Sequence, residues 1–273
     1  MKPVIINADD YAMDAGVDEA ILDLGRRGIV TATSAMVLSP GWPEAGLRLL
    51  DVEIDRGLHL DLTSPFAEAV FQTLSLPRLI GAAFLGQLGR GAVRQAITRQ
   101  LQRFDAVVKA PPRFVDGHQH VHHLPLIRDE LLSALNTRYG APAARIGIRL
   151  CLSRSWRGLK ASIIERTGAR QLSPLAARGG HCVNTDFAGV YGFSPRADMA
   201  ALWQGWLTNL TGEQPLVMCH VAAQMAGVNG GDPIRPARLQ EWKWLGSSAF
   251  AELCSRLSIT LARWRVQGRD NAY

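Results

Sequence analysis

Short apolar runs alternate with stretches of helical periodicity from one end of this sequence to the other. The runs stand at 4–8, 29–38, 57–62, 113–116, 145–152, 181–193 and 215–220. Between them, 14–27 carries Val17, Ala20, Ile21 and Leu24 at helical spacing, and 91–109 carries Val93, Ile97, Leu101 and Phe104 in the same way. Helices are also expected at 42–50, 126–138, 156–170, 196–210 and 238–265. A strand–helix alternation with no internal linker predicts a single parallel α/β domain over 1–273, because parallel strands need helical crossovers. About seven strands can be counted. A distorted (β/α) barrel of the TIM type therefore fits better than a regular eight-stranded one. Residues 63–90 and 221–237 have no firm period and are expected to be loops, the first with one short helix.

A chain of 273 residues with 47% hydrophobic and 20% charged residues is long enough for one barrel and ordinary for a globular protein. No apolar run approaches the ~18 residues of a membrane helix, so no integral membrane segment is expected. Met1-Lys2-Pro3 enters a strand without the layout of a signal peptide, which places the protein in the cytoplasm. Cys151, Cys182, Cys219 and Cys254 are scattered and form no CxxC pair, so they read as structural thiols. The net charge of +6 is spread along the chain, and no nucleic-acid motif accompanies it; nucleic acid is not an expected partner. A homo-oligomer is compatible with the sequence, which does not specify one.

The runs end in residues that bind metals or move protons. Val4-Ile5-Ile6 leads into Asn7-Ala8-Asp9-Asp10, two adjacent carboxylates at a strand end. In parallel α/β folds that edge carries the active site. Adjacent side chains on extended backbone point apart, so the two carboxylates are expected to serve different tasks. The structural alternative is an Asp-rich turn or a helix N-cap. In 57–62 (GLHLDL) Leu58, Leu60 and Leu62 face one way and His59 and Asp61 the other. The stretch 113–125 ends a short strand in His118, His120, His122 and His123, and 215–220 ends in His220. Two histidines and a carboxylate converging on one barrel mouth form a catalytic site for Zn²⁺ or a similar divalent ion. Such an ion acidifies water, and the second aspartate can take the proton.

These motifs resemble the YdjC-like (ChbG/HpnK) carbohydrate deacetylases. The resemblance rests on NADDY at 7–11, GIVTATSAMV at 28–37, GLHLDL at 57–62, DGHQHVH at 116–122 and MCH at 218–220. It implies a deformed barrel that hydrolyses acetyl groups from amino sugars with a divalent cation, Mg²⁺ by family and Zn²⁺ by ligand type. It further implies Asp10, His59 and His118 as metal ligands and Asp9 as general base. His120 and His122 are assigned to a shell behind the ligands or to substrate contact, and His123 to surface or loop. His220 is the expected general acid, with a buried strand-capping histidine as the alternative. The family pattern continues Cys-His-Pro-Gly there, whereas this chain reads Cys219-His220-Val221-Ala222. Arg149 faces away from its strand's apolar stripe; it can hold a carbonyl oxygen or acetate, or serve as a structural ion-pair partner.

The reading that follows is a metal-dependent deacetylase of an amino sugar or oligosaccharide. The alternatives are a deacetylase of a lipid-linked sugar of the hopanoid type and a metal-binding member without activity.

Overall fold

The computed structural model describes residues 1–141, 146–224 and 231–265. In chain order β1 (Lys2–Tyr11) leads through α1 (Ala15–Arg26), β2 (Ala32–Ala35) and α2 (Trp42–Leu50) to β3 (Asp55–Leu60). A 3-10 turn at Pro65–Ala69 and α3 (Leu76–Phe84) occupy the expected long loop, and α4 (Arg90–Val108) follows. Then come β4 (Phe114–Gly117), a 3-10 segment at His118–His123, α5 (Ile127–Tyr139) and β5 (Gly147–Ile148). The second half runs α6 (Leu159–Ile164), a π turn at Glu165–Ala169, α7 (Arg170–Arg178), β6 (Asp186–Ala188), α8 (Met199–Asn209) and β7 (Pro215–Cys219). It closes with α9 (Arg235–Leu245), α10 (Ser248–Arg256) and β8 (Ile259–Leu261).

Seven strands pair in the order β5-β4-β3-β2-β1-β7-β6, every pair parallel. The curled sheet with its surrounding helices is a distorted (β/α) barrel. Its two edges meet at one parallel bridge, Ile148 with Val183. Beyond that bridge the Asn184 side chain takes over from the backbone. Its Oδ1 accepts from Leu150 N at 2.7 Å and its Nδ2 donates to Leu150 O at 2.8 Å. The amide thus satisfies two groups that a regular strand pair would have matched. This explains why the strand expected over 145–152 shrinks to two residues; Arg145 lies outside the described residues.

Sequence periodicity placed α1, α2, α4 and α5 to within one or two residues. Asp14 fixes the start of α1 by accepting from Gly16 N and Val17 N. The helical expectation for 238–265 is corrected: two helices share it with β8, which pairs with Lys2–Val4 at the start of β1. The loop expected over 221–237 gives way to α9 at Arg235; its central residues 225–230 lie outside the described part.

The barrel has two apolar layers. Val4, Ile6 and Ala8 of β1 pack outward against the helices, while Ile5 packs inward with Phe114, Phe187, Leu216, Met218 and Trp264. Phe114 and Trp264 stack with centroids 5.1 Å apart. Gly57 is required beneath them, since a Cβ there would come within 2.4 Å of the Phe114 ring. This plug closes the barrel floor and leaves the C-terminal strand ends as the mouth.

Candidate active site at the strand ends

Alternation along β1 turns Asp9 to the interior and would turn Asp10 outward. Asp10 instead adopts a left-handed φ of 71°, and the β1–β2 register shifts between Ala8 and Tyr11. Asp tolerates this conformation better than most residues. The kink corrects two expectations. The strand runs through the carboxylates to Tyr11 instead of ending at them. The two side chains also converge on His59 instead of pointing apart, though each meets different partners.

Asp10 faces two imidazoles. His59 Nε2 lies 3.2 Å and His118 Nδ1 3.1 Å from Asp10 Oδ1. One donor atom from each residue lies within 4.8 Å of the other two. Strand register explains His59: it sits opposite Asp116 on β4, whose Oδ1 is 2.6 Å from His59 Nδ1. That carboxylate fixes the ring and aims Nε2 at Asp10, the arrangement that orients metal-binding imidazoles. Asp10 and His59 are buried, but the His118 side chain keeps 20% exposure, so the group opens on one side. A carboxylate and two imidazoles with an open face suit a divalent cation. Burial would raise the Asp10 pKa, but the Arg238 guanidinium, with His118 and His59, holds it well below the usual carboxylate range. Burial would lower His59, but Asp116 and Asp10 raise it to about 10.

Asp9 is held from behind. Arg149 Nη1 donates to Asp9 Oδ1 at 2.6 Å and lies 2.8 Å from Asp116 Oδ2, and Asn7 Nδ2 donates to Asp9 Oδ1 at 2.7 Å. Arg149 has no exposed surface. Its contacts are those of the ion-pair alternative. His122 is also fully buried, and its Nε2 donates to Arg149 O at 2.9 Å, the setting of a residue in the shell behind the ligands. His120 is partly buried, with Nδ1 3.4 Å from Cys151 Sγ. His123, expected at the surface, is fully buried against His122, their ring centroids 4.0 Å apart. The Gln119–His120 backbone causes this, since both residues have positive φ (53° and 61°) and fold the next turn back into the protein.

His220 follows β7 and reaches the same mouth, its Nε2 4.0 Å from Asp10 Oδ2 and its side chain 13% exposed. Its backbone N–H donates to Glu241 Oε2 at 3.1 Å, and its ring stands edge-on to Phe193. Burial and Arg238 push its pKa down to about 4, against the pull of Asp10.

Sequence reasoning missed Arg238 and Glu241. Arg238 Nη2 donates to Asp10 Oδ2 at 2.6 Å, and its Nε donates to Asp232 Oδ2 at 2.7 Å. Glu241 accepts from the Tyr191 hydroxyl at 2.7 Å. The one available signal was their spacing, three residues apart on one face of a helix otherwise expected to pack apolar side chains.

The model of the YdjC-like protein family matches residues 3–256. The chain belongs to the YdjC-like family. Among its curated relatives, a chitooligosaccharide deacetylase of Yersinia enterocolitica is 34% identical over 133 residues, which is 46% of this chain and 53% of that protein. The chitooligosaccharide deacetylase of Yersinia pestis is 33% identical over 135 residues, again 46% and 53%. The chain thus spans about half the length of the curated relatives it matches. The crystal structure of an Enterococcus faecalis V583 protein named for cellobiose-phosphate cleavage shares the fold, with a TM-score of 0.72 and 21% identity over 96% of this chain and 97% of that one. This YdjC-like barrel has no helix among the described residues long and apolar enough to cross a membrane.

Proposed function

We propose that this chain is a metal-dependent amidohydrolase that removes N-acetyl groups from an amino sugar, with chitooligosaccharides as the first substrate class to test. The observation that carries the reading is the Asp10–His59–His118 group with Asp9 held beside it by Arg149. A divalent cation held by Asp10, His59 and His118 would polarise the acetamide carbonyl and acidify water. Two imidazoles favour Zn²⁺ or another first-row transition ion over the Mg²⁺ that the family resemblance suggests. Asp9 accepts the proton of the attacking water. Arg149 and Asn7 both bond its Oδ1, so Oδ2 is the oxygen assigned to that proton. His220, its Nε2 4.0 Å from Asp10 Oδ2, relays a proton to the leaving amine. Its imidazole is neutral at rest, so the proton it passes on is the one Asp9 took from the water, and Asp9 ends the cycle ionised again. All four cysteines are free, which supports a reducing compartment such as the cytoplasm.

The test is acetate release from N-acetylated chitooligosaccharides by metal-loaded protein. Metal-dependent release that Asp9→Asn abolishes supports the reading. Tight metal binding without acetate from any amino-sugar substrate rejects it in favour of a non-catalytic role.

One observation favours a lipid-linked amino sugar as the second reading. Trp156 (83% exposed) and Leu159 and Ile163 of α6 form an exposed apolar rim. Lys160, between them, lies over the ring of Phe193, the same ring that packs on His220. Faster turnover on lipid-linked than on free acetylated sugars, lost on replacing Trp156 and Leu159 by serine, would establish it.

A further inference from the structure

A second donor group lies behind the first and shares no residue with it. His122, His123 and Cys151 each place one donor atom within 4.8 Å of the other two, and all three are buried. His122 donates Nε2–H to the Arg149 carbonyl, which leaves its Nδ1 as an unprotonated acceptor. That Nδ1 has no hydrogen-bond partner, and of the two ring nitrogens of His123 one has the Arg149 backbone within bonding reach and the other has none. Buried polar atoms are almost always paired, so two orphaned imidazole nitrogens, one on each ring, beside a thiol call for a partner. His120 borders the group through its contact with Cys151.

We propose that His122, His123 and Cys151 form a closed structural site for a thiophilic transition ion of the zinc type. The donors are imidazole and thiol with no carboxylate, a set that selects zinc-like ions and rejects Mg²⁺ and Ca²⁺. A metal-binding histidine commonly donates its other N–H to a backbone carbonyl, as His122 does here. Burial pushes the Cys151 thiol up, with Arg149 opposing it; a bound cation supplies the positive charge that makes the thiolate stable. Arg149 itself is neutralised by Asp9 and Asp116 and does not repel the ion with its full charge. The backbone supports the placement. Gln119 and His120 hold left-handed conformations, and the π turn at Gly168 lies so close to the His123 carbonyl that a Cβ there would come within 2.0 Å of its oxygen. An ion bridging 122–123 to 151 would brace the strained turn that presents His118, and would also fix Arg149, which holds Asp9. The site is a positioning device and takes no part in the reaction.

Cobalt(II) is the probe, because a thiolate ligand gives it a near-ultraviolet charge-transfer band that carboxylate and imidazole ligands do not. The full chain should bind two equivalents of Co²⁺ and develop this band. Cys151→Ser and Cys151→Ala should each lose the band and one equivalent, and His123→Phe should weaken or lose it. Asp10→Asn should keep the band while losing the other equivalent. A wild-type protein that binds Co²⁺ without the band overturns the proposal. So does a band that survives Cys151→Ser and Cys151→Ala, which would come from another cysteine, or one that disappears with Asp10→Asn, which would merge the two groups. Acetate release plays no part in this readout, so failure of the deacetylase reading and failure of this one are separate results.

Discussion

Two donor groups grow out of the same six residues, His118–His123, and they differ in charge and access. The forward group joins His118 to Asp10 and His59 and lies among three carboxylates, Asp9, Asp10 and Asp116, against two guanidiniums, Arg149 and Arg238. It is open on the His118 side. The rear group joins His122 and His123 to Cys151, has no carboxylate of its own and is closed to solvent. The forward group therefore has the carboxylate ligand and the open face that catalysis on a substrate requires. The rear one has the soft donors and closure of a structural site. The contrast shows that histidine density in a sequence says little about role. Which ring meets a carboxylate and which meets a thiol is set by a single turn of strained backbone.

The largest effect should come from breaking the forward group alone. His118→Ala should bring turnover to background over a range of added metal, whereas His123→Ala should keep the metal response of acetate release. Equal loss in both variants would show that the two groups are functionally one.

Asp9→Asn should come next. It preserves shape and the bonds to Arg149 and Asn7 but cannot take a proton, so turnover should fall by about 10²–10⁴-fold with metal binding intact. Asp10→Asn removes a charged ligand and should weaken metal affinity first. Excess metal should partly restore Asp10→Asn and leave Asp9→Asn unchanged; the reverse pattern would swap the two roles.

Arg149 ties the groups together, its guanidinium on Asp9 and Asp116 and its carbonyl on His122. Arg149→Met leaves buried Asp9 without its cation and Asp116 with His59 alone, and should cost about 3–5 kcal/mol in denaturant unfolding. A loss below about 1 kcal/mol, the scale of an exposed ion pair, would mean that water reaches Asp9 and that the forward group is more open than the structure shows.

The last effect is spread over pH and concerns charge compensation along α9. Arg238 bonds Asp10 and Asp232, while the hydrogen bonds to Glu241 come from neutral donors; burial raises Glu241 to about 8, partly offset by Tyr191, the His220 N–H and the charge of Arg238. An acid with a raised folded-state pKa destabilises the fold as its unfolded form ionises. From roughly pH 4.5 to about 8 wild-type stability should therefore fall relative to Glu241→Gln, by at most about 1.4 kcal/mol per pH unit, and level off above. Parallel pH profiles for the two proteins would show that Glu241 is ionised in the folded protein and that burial does not raise it.

The sequence by itself determined the barrel and the identity of the forward group. Apolar runs of period two and stripes of helical period are local signals, and parallel strands deliver their last residues to one edge regardless of detail. That placed Asp10, His59 and a histidine of 118–123 together from three separate strands, and the family resemblance singled out His118. Tertiary structure alone decided how the second half of the chain closes, because β5 and β6 are two and three residues long and the seam depends on the Asn184 side chain. It also decided that Arg149 and His122 lie behind the site and that His123 is buried. Those outcomes follow from left-handed backbone at Asp10, Gln119 and His120, and nothing in the residue pattern announces that conformation. Strain of roughly 1–3 kcal/mol per residue persists only where the surrounding packing enforces it. The enforcing contacts, among them Arg238 on Asp10 and the π turn at Gly168 on His123, come from residues 228 and 45 positions farther along the chain, beyond the reach of any local reading.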